Sequence, residues 1–197
     1  MKKSLVIAAL GLTAAVGSSY GQGYILFSSY AQTATPYATA TIFGTSTLLD
    51  SSFKAQLWYS LGTVSDTVNN GSVASITSAP TGLTVVSGSD TVFATSGAST
   101  PGFFDGAITQ IASYSSGPIT FEVVAFNGAD YASSSVRGRS GSFTFSSIDT
   151  VGIGTKFGFN GGQMSPMFVA PVPEPSTLAL AGLGGFGMLM AFRRKKA

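Results

Sequence analysis

Ile119-Thr120-Phe121-Glu122-Val123-Val124-Ala125-Phe126 is apolar on nearly both faces of an extended chain. At the two-residue period of a strand, such a run has no face left for water, so it predicts the centre of a sheet rather than an edge. Upstream, Phe53-Lys54-Ala55-Gln56-Leu57-Trp58-Tyr59 alternates. Phe53, Ala55, Leu57 and Tyr59 share one face and Lys54 and Gln56 the other, the pattern of a half-solvated strand. Downstream, Asn127-Gly128-Ala129-Asp130 offers a left-handed turn position, and Ser142-Phe143-Thr144-Phe145 alternates again.

Working outward, β-branched and aromatic residues recur in short runs separated by Gly, Asn, Asp, Ser and Pro, and no helical pattern exceeds two turns. Strands are predicted over 24–30, 38–43, 52–60, 83–86, 91–94, 106–111, 118–126 and 140–145. The expectation is an all-β fold, a two-sheet antiparallel β-sandwich of jelly-roll or Ig-like kind. Phe121, Val123, Ala125, Phe143 and Phe145 should share one core. Residues 63–80 and 152–162, rich in small polar residues or glycine, read as the least ordered parts. Arg137 and Arg139 flank Gly138 on what reads as a connecting turn with solvated charges. Residues 167–173 alternate apolar residues with proline and read as a stiff extended spacer.

Both ends differ from this middle. Lys2 and Lys3 precede an apolar run over 5–16 and then small residues, the layout of a secretory signal peptide over 1–21. Cleavage is placed between Gly21 and Gln22, with Ser19 as the small residue at the third position back, or alternatively after Ser19. The exported domain is then 22–166. At the other end, a spacer and hinge over 167–175 contains Pro173-Glu174-Pro175. An uncharged apolar stretch over 176–192 follows, and then Arg193, Arg194, Lys195 and Lys196. As a helix at about 1.5 Å per residue, the sixteen residues 177–192 reach roughly 24 Å, a short membrane span whose flanking cations snorkel. The four cations predict that 193–197 stays cytoplasmic, with everything upstream outside.

Val172-Pro173-Glu174-Pro175, one short span and a terminal Arg/Lys cluster together resemble the sorting tail of PEP-CTERM proteins of Gram-negative bacteria. That resemblance implies that a membrane-embedded exosortase recognises Pro173-Glu174-Pro175, cuts near it, and releases or transfers the outer part. It implies as partners the secretion machinery, a signal peptidase and the exosortase. The precursor would be held in the inner membrane before the product reaches the cell surface or extracellular space. The middle also resembles the exported domains that often precede such tails, through Ala55-Gln56-Leu57-Trp58-Tyr59, Gly102-Phe103-Phe104-Asp105-Gly106, the run 121–127 and Arg137-Gly138-Arg139-Ser140. This implies a shared β domain and brings no activity with it.

The chemistry open to the domain is narrow. The chain of 197 residues has no histidine and no cysteine, which removes histidine bases, thiol nucleophiles, disulfides and the common zinc ligand sets. Neither a metal site nor a cofactor is expected. Six of the ten basic residues lie at the ends. Lys54, Arg137, Arg139 and Lys156 are left against seven acids, a net of −3 that argues against nucleic acid. Catalysis would need two carboxylates brought together by folding from Asp50, Asp66, Asp90, Asp105, Glu122, Asp130 and Asp149. Gly152-Ile153-Gly154-Thr155-Lys156-Phe157-Gly158 is no phosphate loop, since Lys156 precedes no Ser or Thr. Trp58, Tyr59, Tyr114 and Tyr131 are the candidate aromatics for stacking on sugar rings of an extracellular polysaccharide, against the alternative that they belong to the core. The leading expectation is a noncatalytic exported surface or matrix protein, with a carbohydrate-binding module as the alternative and a polysaccharide-processing enzyme third.

Overall fold

The run Ile119–Phe126 is a strand, β7, buried along its whole length, and the rest of the fold is laid against its two edges and two faces. The structure is a computed structural model in which residues 21–30, 39–93 and 101–173 are described. Chain order is β1 (Gly23–Ser28), β2 (Ala40–Ile42), β3 (Lys54–Leu61), α1 (Val73–Thr77), β4 (Thr84–Val85), β5 (Thr91–Val92), β6 (Asp105–Ile111), β7, β8 (Val136–Arg139), β9 (Phe143–Phe145) and β10 (Met167–Pro171).

Along one edge of β7 runs β3, antiparallel from Lys54 opposite Phe126 to Leu61 opposite Ile119. The other edge is shared: β8 pairs with 124–126 and β9 with 119–121. Beyond β8 lies β10, antiparallel to it, and beyond β10 lies β2, which runs parallel to β10. The short strands β4 and β5 close the outer edge of β3. A separate antiparallel pair, β1 with β6, carries a register shift between Leu26 and Ser28.

The main core lies on one face of β7, where Phe121, Val123 and Ala125 meet Ala55 and Leu57 of β3 and Phe143 and Phe145 of β9. Ile25, Phe27 and Ile111 of the β1–β6 pair enter the same core, so the two sheets share it. Its rings meet edge to face: Phe121 and Phe145 lie 5.6 Å apart and Phe143 and Phe157 5.1 Å, the geometry aromatic quadrupoles favour. On the opposite face, Val124, Phe126 and Tyr131 form a smaller cluster against Trp58. The chain is therefore all-β in class, but its sheets have two and eight strands and one pair is parallel, which corrects the purely antiparallel arrangement.

Five local expectations also change. Residues 136–139 are a strand and not a connecting turn, and 167–171 are a strand of the large sheet and not a free spacer. Residues 62–81 form a strap bound across the outer face of that sheet. Thr120 Oγ1 donates to Gly62 O at 2.8 Å, Ser142 N–H to Asp66 O at 2.9 Å, and Tyr131 Oη to Ser78 O at 2.7 Å. Helix α1 lies within the strap, started by the Ser72 hydroxyl accepting from Ser75 N–H and held by fully buried Ile76. Within 152–162, Leu26 N–H bonds to Thr155 O and the Phe157 ring is fully buried, so this stretch too is anchored. Gly128 does not take the left-handed conformation expected of it. A Cβ there would strike the Ser134 hydroxyl, so it serves space rather than backbone freedom.

Among the described residues no helix is long and apolar enough to cross a membrane. The signal peptide through Tyr20, and everything from Glu174 onward including the span and the terminal cations, lie outside the described residues.

Candidate functional site

Two places bear on function: the point where the chain leaves the sheet, and a buried ionic cluster beneath the strap. At the first, Met167 and Val169 turn their backbone groups toward β2. Met167 N–H donates to Thr39 O, and Val169 O accepts from Phe43 N–H. The intervening residues face β8, and Val172 continues this pattern one residue past the strand by donating its N–H to Ser135 O at 2.8 Å. Pro173 follows, exposed to solvent. The first proline of Pro173-Glu174-Pro175 thus stands two residues beyond the last residue of β10. At the opposite end, Gly21 is half-buried against Tyr114 and Ser115, and the exposed side chain of Gln22 accepts from Tyr24 Oη at 2.9 Å.

The second place joins three residues that sequence distance keeps apart. Arg139 Nη1 donates to Asp66 Oδ2 at 2.6 Å and to Glu122 Oε1 at 2.9 Å, with Arg139 4% exposed and Glu122 fully buried. Two acids face one guanidinium, so the cluster carries excess negative charge. Glu122 Oε2 has no hydrogen-bond partner. Burial, only partly offset by Arg139, pushes the Glu122 carboxyl up to about 7. Arg137, next along the same face of β8, has no carboxylate contact of this kind among the described residues. Its Nε donates to Thr77 O at 2.9 Å, its Nη1 to the carbonyls of Tyr131 and Ala132, and its guanidinium lies 5.0 Å over the Tyr131 ring. Both arginines, expected to be solvated, are instead clamps that hold the strap on the sheet. Sequence reading missed this cluster, although a lone glutamate inside an apolar central strand is itself a signal, because a buried charge requires a buried partner.

The four aromatic candidates do not share a surface. Tyr114 is 1% exposed in the main core, its hydroxyl donating to Gly117 O and accepting from Ile148 N–H. Tyr131 is 5% exposed under the strap, and burial pushes its phenol far above the usual range. Internal carbonyl partners allow both rings to be buried whole. Trp58 is half-buried beside Tyr131, with Nε1 donating to Gln56 Oε1 at 3.0 Å. Tyr59, its neighbour in β3, points to the other face and pairs with Ser113 Oγ at 3.1 Å. A polar groove of about 470 Å³ lies elsewhere, between the loop 87–91 and β6, with Asp90 and Asp105 on its walls. Gln56 Nε2 fixes Asp90 at 2.8 Å.

Residues 171–195 match the family model of the PEP-CTERM protein-sorting motif. No curated protein and no solved structure matches the chain. The match starts at Pro171, the last residue of β10, so motif and folded domain are continuous, with no linker between them. The chain therefore carries a PEP-CTERM protein-sorting motif at 171–195, the mark of an exported protein that an exosortase processes at the membrane.

Proposed function

We propose that the domain is a noncatalytic component of the cell surface or extracellular matrix, a lopsided β-sandwich delivered by its tail as finished cargo. The observation that carries this reading is the use of the chain's carboxylates. Asp66 and Glu122, one pair that folding brings together, are both bound to Arg139 under the strap, where they tie the strap to the sheet. With histidine and cysteine absent from the sequence, the remaining candidate pair is Asp90 and Asp105 in the polar groove. Incubating the protein with extracellular polysaccharide should leave polymer length unchanged by size-exclusion chromatography. Depolymerisation that Asp90→Asn or Asp105→Asn abolishes would overturn the noncatalytic assignment. That groove, with its hydroxyl, amide and carboxylate side chains, also favours a second reading as a carbohydrate-binding module, for which a glycan array is the measurement.

Sorting has its own test. Glu174→Ala should leave export intact but block processing, since Glu174 is the only carboxylate of 171–197 and the natural contact for a cationic recognition pocket. The measurement is mass spectrometry of the C-terminus in strains with and without the exosortase. Intact Ala197 termini in both strains, for the unsubstituted chain, would contradict sorting by cleavage.

A further inference from the structure

We infer that the folded domain itself supplies a docking face for the exosortase, at the cleft between the turn 131–136 and the exit of β10. The inference rests on processing at the sorting motif and adds a second contact to it.

Reach is the first argument. From Pro171 to Glu174 is three residue steps, about 11 Å at full extension. A single helix with its side chains is roughly 10–12 Å across, so no element of an enzyme fits between the motif and the sheet without touching the domain. What it touches is a cleft of about 540 Å³, walled on one side by Ala132, Ser133 and Ser135 and on the other by Pro171, Val172 and Pro173.

This wall is small and stiff. Ala132, Ser133 and Ser135 are exposed and carry little side-chain bulk. Asp130 Oδ1 accepts from Ser133 N–H at 2.8 Å, Ser134 Oγ donates to Asp130 O at 2.6 Å, and Asn127 Oδ1 accepts from Val136 N–H at 3.1 Å. Arg137 holds the turn's carbonyls from behind. A preorganised surface loses little entropy when a partner is seated on it.

The edge chemistry argues against another occupant, a second copy joined by strand addition. Among the described residues no strand pairs with the β2 side of β10 beyond Val169, because β2 ends at Ile42 and the chain turns back through a Thr45 N–H bond to Ile42 O. The alternation that sends Val172 toward β8 sends positions 171 and 173 toward that open side, and both are proline. The edge therefore presents acceptors without donors and cannot extend a ladder. A partner must engage the flank of the exit, where the cleft is.

The test is a two-by-two comparison in cells expressing the full chain and its exosortase, read by pulse-chase conversion of precursor to cut product. Ser135→Trp, and separately Ser133→Trp, should slow conversion roughly tenfold by filling the cleft. The same substitutions should have no effect once six Gly-Ser residues are inserted between Val172 and Pro173, since Pro173-Glu174-Pro175 and everything after it stay intact and then reach the enzyme without the domain. Thermal melting of each variant protein should match that of the parent. Conversion at the parental rate at native spacing, or equal slowing with and without the insert, would overturn the docking face. Failure of the unsubstituted chain to be cut would instead indict the sorting reading beneath it. Self-association of the purified protein that Ser135→Trp abolishes would assign the face to a second copy.

Discussion

Arg139→Met is expected to destabilise the protein by about 3–5 kcal/mol at neutral pH. Methionine keeps the apolar stem but leaves Glu122 fully buried with neither oxygen partnered, and it releases Asp66 from the strap. The cost belongs to the buried Glu122 carboxyl left without its donor and not to the pair, whose desolvation already cancels much of its attraction. The double variant Arg139→Met with Glu122→Gln should therefore recover most of the loss, a non-additivity of the size seen between contacting residues. Urea unfolding is the measurement, and the chain supplies its own probe. Trp58 is its single tryptophan and stands directly opposite Glu122 across the β3–β7 pair. A loss under about 1 kcal/mol would show that the cluster is bridged by solvent and not buried.

The second large effect is a stability profile that falls as pH rises. Glu122 titrates near 7 in the folded protein and near its ordinary 4.5 when unfolded. Between those values the folded state holds a proton that the unfolded chain has given up. Its contribution is therefore fully present below about pH 4.5, declines through the window and is lost above about 7, by about 3 kcal/mol in all. Asp50 and Asp130, whose carboxyls are held below the usual range by Ser52 and Ser133, work in the opposite sense but at lower pH, as acid protonates them. Glu122→Gln should flatten the 4.5 to 7 window and leave the acid limb below it in place. An unchanged slope in the variant would move the effect to another group.

Much of the fold was legible because most strands carry their own pattern. The eight predicted runs each overlap an observed strand, since Phe53, Ala55, Leu57 and the apolar residues of β7 report burial at a period of two without reference to anything distant. The two missed strands carry misleading composition. In β8, Arg137-Gly138-Arg139 reads as a turn because Thr77 O and the Asp66 carboxylate, the strap acceptors of Arg137 and Arg139, lie 60 and 73 residues away. Gly138 reads as a breaker, yet it is needed because a Cβ there would strike the carbonyl oxygen of Phe168 in the adjacent strand. In β10, Pro171 reads as a spacer residue, but it occupies the last position, on the side where β2 has ended and no ladder donor is needed. The burial of Tyr114 and Tyr131 was illegible for a related reason. Whether a tyrosine is a platform or a core residue depends on where its hydroxyl finds an acceptor, and for Tyr131 that acceptor is Ser78 O, fifty-three residues away. Helix α1 has only five residues, too few for a helical period to show.

The position of β10 has a consequence for the order of events during biogenesis. A chain leaves the ribosome from its N-terminus, so β10 is the last strand of the described domain to be made, yet it is inserted between β2 and β8 and not added at a rim. Until residues 167–171 arrive, β2 has no strand partner, β8 keeps a bare edge, and the core lacks Met167 and Val169. The sheet closes only when the residues immediately before the sorting motif have joined it. A chain whose β10 is in register therefore has every other described strand already made and paired, and the strand that completes the sheet ends two residues before Pro173.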